Sequence, residues 1–166
     1  MGAEPRWLSP TELRAWLTYR AGMTLLEAAL DRQLQRDSGM PLAYYQILAI
    51  LSEAPERTLR MSFLADKLQS SPSRLSHAVG KLESHGWVRR FPAPDDRRSI
   101  LAQLTDDGFE VLKAAAPGHV ETVRRLVFDQ LTPEQVDQLG TIFGAIRAAV
   151  RGPDDNGCGG SPGITC

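Results

Sequence analysis

The chain has 166 residues, 42% of them apolar and 23% charged, with a net charge of −1, which allows one domain with a real core, with or without an extension. No run approaches the roughly 18 consecutive apolar residues of a membrane-spanning helix, and Met1 to Trp7 has no apolar run behind a basic start, so no membrane attachment, no secretory signal and a cytoplasmic location are expected. The charge is uneven: residues 57–103 hold nine Lys/Arg against four Asp/Glu, and the rest hold ten against sixteen, a basic middle that suits a polyanion but also arises by chance.

The helix punctuation is clear. Ser9-Pro10-Thr11-Glu12 is a capping box with Pro at the first helical position. Leu13, Trp16, Leu17, Met23, Leu26, Leu30 and Leu34 follow at helical spacing, and Gly39 stops the helix after about Asp37. A helix this long is expected to pack partly against something beyond its own core. Pro41 opens a second helix that Pro55 ends, and Thr58-Leu59-Arg60 reads as a short extended piece. A third helix is expected over about Ser62 to Gln69. Ser70-Ser71-Pro72-Ser73 breaks it and starts a fourth, with Ser71 as N-cap, ending at His85-Gly86.

Trp87 to Phe91 and Ser99 to Leu104 are β-prone runs around a Pro/Asp tip, which predicts a hairpin. Thr105 caps a fifth helix, which Pro117-Gly118 should kink or split. Thr132-Pro133-Glu134-Gln135 is another capping box and opens a sixth. Residues 152–166 are rich in Gly, Pro and Asp and are expected to be flexible.

The fourth helix carries the chemistry. Leu75, Val79 and Leu82 form its apolar face. Ser70, Ser73, Arg74, Ser76, His77 and Lys81 lie opposite; all can donate a hydrogen bond and none is acidic. A recognition helix needs donors for phosphates and base edges, and no carboxylate to repel the backbone. Ser71-Pro72 leaves a helix N-terminus free to face phosphate. The hairpin adds Arg89 and Arg90 at its base and Arg97 and Arg98 at its tip. Asp96 is placed to hold the Arg98 guanidinium across the turn, which suits a narrow, electronegative minor groove. Each feature alone also fits ordinary surface, edge protection or a turn-stabilising pair. Together they predict a winged helix-turn-helix that binds double-stranded DNA.

Leu64-Ala65-Asp66-Lys67-Leu68, Ser71 to Ser76, Lys81 to Arg90 and the wing Asp95-Asp96-Arg97-Arg98-Ser99, leading into Leu104-Thr105-Asp106-Asp107-Gly108, occur in order. On these residues the chain resembles the MarR family of winged-helix transcriptional regulators, over about residues 10–150. The resemblance implies a mainly α fold with a small β-hairpin. A DNA-binding lobe would span 39–104 and an all-helical dimerisation domain 9–38 and 105–150, with flexible termini at 1–8 and 152–166.

It further implies a homodimeric repressor whose paired recognition helices enter successive major grooves of a pseudo-palindromic operator. Ser71, Ser73, Arg74 and His77 would contact DNA from the helix, and Arg98 from the wing. His77 stands where Arg is frequent in the family, implying weaker and pH-sensitive base readout there. A small aromatic or phenolic effector is also implied, with Trp16, Tyr19, Tyr44 and Tyr45 as pocket candidates; plain core or dimer packing accounts for such aromatics as well. An activator of the same fold, or an architectural or protein-interaction winged-helix protein without a small-molecule effector, is the alternative.

An enzyme is not expected. There is no Ser/His/Asp or Cys/His arrangement with supporting context and no phosphate-cradling Gly-rich loop. His77, His85 and His119 are not at metal-ligand spacing, and Cys158 and Cys166 lie near the C-terminal end, so no metal site, disulfide framework or cofactor is expected. The cysteine-based peroxide sensing of one branch of the family needs a thiol near the first helix, and no cysteine precedes Cys158.

Overall fold

Ser9 starts the first helix as its residues dictate. Its hydroxyl accepts the Glu12 N–H and the Glu12 carboxylate accepts the Ser9 N–H, at 3.3 and 2.8 Å. Helix α1 runs Pro10–Ser38 and ends on Gly39 at φ 65°, a left-handed position that costs glycine little. The computed structural model describes residues 4–96 and 98–151. Arg97, the tail 152–166 with both cysteines, and residues 1–3 lie outside the described residues.

Helix α2 (Leu42–Ser52) follows a Pro41 N-cap that has no side-chain acceptor to offer. Asp31 of α1 supplies one instead, its carboxylate accepting the Leu42 N–H at 2.8 Å. After a single 3₁₀ turn, β1 (Thr58–Arg60), α3 (Met61–Lys67), α4 (Pro72–Ser84), β2 (Val88–Pro92) and β3 (Ile100–Leu104) form the lobe. Helix α3 is shorter than the sequence predicts. Its turn into α4 places Gln69 at φ 49°, and the Ser70 N–H returns to the Ala65 carbonyl.

The hairpin is part of a three-stranded antiparallel sheet of order β1-β3-β2. Thr58 pairs with Gln103, and Val88 with Leu104. The extended piece at 58–60 is therefore a third strand, on the opposite side of β3 from β2.

Helix α5 (Asp106–Leu126) runs unbroken through Pro117, so the expected split does not occur. Packing against α1 explains this. Leu34 and Gln33 of α1 and Ala115, His119 and Thr122 of α5 are buried, and a Cβ on Gly118 would stand 3.3 Å from Gln33 Nε2. Tertiary contact holds helical geometry where the local sequence disfavours it. At the other end of α5, a Cβ on Gly108 would stand 2.1 Å from the Trp87 carbonyl oxygen, so only glycine lets α5 approach β2 this closely.

The core gathers Leu34, Met40, Ile47, Leu48, Leu51, Leu64, Leu75, Val79, Leu82, Val88, Ala102 and Leu104. It lies within the lobe and the adjoining stretches of α1 and α5. Helix α6 (Pro133–Arg151) has no buried residue. Leu13, Trp16, Leu17 and Leu25 of α1 and Ile142, Ile146 and Val150 of α6 are exposed in the single chain. No helix among the described residues is long and apolar enough to cross a membrane.

Candidate nucleic-acid interface

Helix α4 presents the face its sequence predicts. Leu75, Val79 and Leu82 are buried, whereas Ser73, Arg74, Ser76, His77 and Lys81 are exposed and Ser70 is half-buried. The Ser71 hydroxyl accepts the Arg74 N–H at 3.3 Å. Its acceptor lone pair thus serves the N-cap, and its O–H stays available as a donor. Along the outer side of α4 runs a groove lined by Ser73, Ser76, His77, Gly80, Lys81, Ser84 and Arg90. Every side chain in this lining is a donor or a cation, and among the described residues no carboxylate lines it. The face can meet phosphate oxygens and base-edge acceptors without repulsion.

The acidic residue nearest this groove is neutralised. Glu83 accepts the backbone N–H of Arg90 at 3.0 Å and two guanidinium N–H groups at 3.0 and 2.7 Å. The guanidinium bonds first, and then the backbone bond, hold the Glu83 carboxyl below its ordinary range. Arg90, a sequence-predicted DNA contact, is thus an internal ion-pair partner at the groove's edge. Arg89 Nε donates to Gln103 Oε1 at 2.6 Å, and Gln103 Nε2 donates to the Glu56 carbonyl at 3.0 Å. Arg89 remains exposed.

At the wing tip the expected role of Asp96 needs correction. Its carboxylate accepts the Arg98 backbone N–H at 3.0 Å and the Ser99 hydroxyl at 2.7 Å. An Asp side chain reaches the main chain two residues on more readily than it reaches the end of a long, solvated arginine. Asp96 therefore shapes the turn, while the Arg98 side chain is exposed. The Ser99 hydrogen bond, then that from Arg98, holds its carboxyl below the ordinary range. Asp95 makes an ion pair with Arg60, at the β1–α3 junction. This wing tether, 35 residues apart in the chain, has no local sequence signal.

The four aromatic effector candidates do not converge within the subunit. Trp16 and Tyr19 stand 5.9 Å apart on α1, and Tyr19 meets Phe143 of α6 at 5.6 Å. Tyr45 is buried against His119, 4.3 Å between ring centres, and Tyr44 is half-buried nearby on α2. Helix α2 begins beside Asp31, and fifteen residues of helical rise place Trp16 about 22 Å away along α1. Sequence reading missed the surroundings of Tyr45. Gln33 Oε1 and His119 Nδ1 are buried where α1 and α5 pack, without a hydrogen-bond partner among the described residues. Burial pushes the His119 pKa down, which favours the neutral ring.

The model of the MarR family matches residues 38–99, from the last residue of α1 to the wing tip just before β3. The regulator PecS of Dickeya dadantii is 31% identical over 124 residues, 74% of this chain and 73% of that protein. The chain belongs to the MarR family. Family members in the solved structures share the whole architecture. Sco3205 of Streptomyces coelicolor, solved in complex with DNA, is 50% identical with a TM-score of 0.88 over 93% of this chain and 97% of that one. AbsC of the same organism is 39% identical, TM-score 0.83, over 89% and 99%. Membership makes the chain a winged-helix transcriptional regulator and not an enzyme.

Proposed function

We propose that the chain is a sequence-specific DNA-binding repressor that acts as a homodimer in the cytoplasm. The carboxylate-free groove along α4 carries this reading. It follows the exposed donors of α4, and the wing adds the exposed Arg98. The DNA-bound state of Sco3205 supports it. Ser70, Ser71, Ser73, Arg74, His77 and Lys81 would face the major groove and the adjacent phosphates, and Arg97 and Arg98 the minor groove, with Arg89 beside them.

A second copy accounts for the uncovered apolar residues. An isolated helix in water is marginal without tertiary packing, yet α6 buries none of its residues, and the first two turns of α1 bury none either. Joining α1 and α6 to their counterparts in a partner would cover both and set the two α4 helices about one DNA turn apart. A small aromatic or phenolic effector would act where α1, α2 and α5 meet, at Tyr44, Tyr45 and the unpaired polar atoms of Gln33 and His119. Trp16 and Tyr19 fit the dimer contact better.

The test is selection of duplexes from a random-sequence pool by the full chain, followed by affinity across a salt series. A palindromic consensus is expected, with a steep salt dependence whose slope falls by about one in Arg98→Ala. Binding indifferent to sequence would favour the architectural alternative, and no binding would refute both. Sedimentation equilibrium is expected to give a dimer, and a monomer at micromolar concentration would overturn that part.

A further inference from the structure

The sequence places Arg90 among the DNA contacts, but the structure commits its charge elsewhere. Strand β2 is an edge strand, with β3 on one side and α4 near the other. The Arg90 N–H leaves β2 and is accepted by Glu83 Oε1 of α4, while the Arg90 guanidinium donates two further hydrogen bonds to Oε2. Three bonds from one residue to one carboxylate restrict sliding and rotation of the strand against the helix. Gly80, one turn earlier on α4, provides the space. A Cβ there would stand 3.7 Å from Arg90 Nη2, so a longer side chain would compete with the guanidinium.

We propose that Glu83 and Arg90 form a clamp that fixes the wing against the recognition helix, so that Arg98 reaches DNA at a set distance from α4. Both are positioning residues. The clamp holds the middle of β2, and Arg98 lies at the far end of the same hairpin. A small tilt at the clamp is therefore enlarged at the tip. Because Glu83 already neutralises Arg90, the pair supplies little net attraction for phosphate. A clamp and a phosphate contact thus differ in salt dependence, not only in affinity. The inference rests on the DNA-binding reading above.

The test uses the full chain and the duplex that the wild type selects. Arg98→Ala is expected to cost about tenfold in affinity and about one unit of salt slope. Arg90→Met is expected to weaken binding while changing the slope by less than about half a unit. In that background Arg98→Ala should cost no more than about threefold, because the wing is no longer held in place. Glu83→Ala keeps the Arg90 charge and a good helix former. It should shrink the Arg98 penalty in the same way, and it serves as the second variant if Arg90→Met melts early.

A fall of about one slope unit in Arg90→Met would make Arg90 a phosphate contact and overturn the clamp. An undiminished Arg98 penalty in the Glu83→Ala background would overturn it too. If the wild type selects no duplex, the DNA-binding reading fails before any variant is made.

Discussion

Gly108→Ala should be strongly destabilising, although alanine is the better helix former by about 1 kcal/mol. The added Cβ would stand 2.1 Å from the Trp87 carbonyl oxygen and 2.8 Å from Leu104 Cδ1. Relief requires α5 to move by about 1.4 Å from the Trp87 carbonyl just before β2, since non-bonded contacts settle near 3.5 Å. Three hydrogen bonds join or brace that contact. The Thr105 N–H reaches the Trp87 carbonyl at 3.0 Å, the Thr105 hydroxyl reaches the Gly86 carbonyl at 2.7 Å, and the Gly108 N–H reaches the Thr105 hydroxyl at 3.0 Å. At about 1 kcal/mol each, plus about 1–3 for overpacking and less the helix gain, the net cost is roughly 3–5 kcal/mol. In a domain of this size that lowers Tm by roughly 6–20 °C at fixed protein concentration. Gly80→Ala is the contrast, because its Cβ would meet only the end of a flexible arginine at 3.7 Å, and it should gain up to about 1 kcal/mol. Thermal melts of the two variants should therefore move in opposite directions. A Gly108→Ala melt at or above the wild type would refute the close-approach reasoning.

Leu17→Glu and Ile146→Glu, each on an apolar residue exposed in the single chain, should shift the protein toward monomer in sedimentation and weaken operator binding by at least about tenfold through lost pairing of the lobes. Asp96→Ala removes the acceptor for both the Arg98 N–H and the Ser99 hydroxyl. It should lower DNA affinity roughly fivefold, whereas Asp96→Asn, which can still accept the Arg98 N–H, should lose less. Burial depresses the His119 pKa, so below the ordinary histidine value of about 6.5 the unfolded chain takes up a proton before the folded chain does. The wild type should thus have its full stability from this group above about pH 6.5 and lose it as the pH falls below that value toward the depressed folded-state pKa. His119→Phe should flatten the Tm profile over that interval, and an unchanged profile would show that another group sets it.

Local chemistry was legible in the sequence, and contacts between distant segments were not. Ser9, Ser71, Thr105 and Thr132 start their helices as expected, because a cap acts within one turn. The buried and exposed faces of α4 follow from its periodicity alone. The extended character of Thr58 to Arg60 was legible, but its pairing was hidden, because the partner strand lies more than forty positions on. Arg60–Asp95 was hidden for the same reason. Pro117 misled because its local penalty is outweighed by packing of α5 on α1. Arg90 misled because its charge could be read without the carboxylate that neutralises it.

The bond from Asp31 to the first N–H of α2 has a mechanical consequence. It fastens α2 to α1 at one end, beside the short covalent link through Gly39 to Pro41. Rotation of the lobe about that fastening leaves the near end almost still and moves the far end most. Helix α2 is eleven residues long, about 16 Å, so a turn of about 10° sweeps its far end through about 3 Å. That is close to the 3.4 Å spacing of successive base pairs. A turn of that size shifts the lobe by nearly one rung of the duplex, and it must carry Leu48 and Leu51 past their core neighbours to do so.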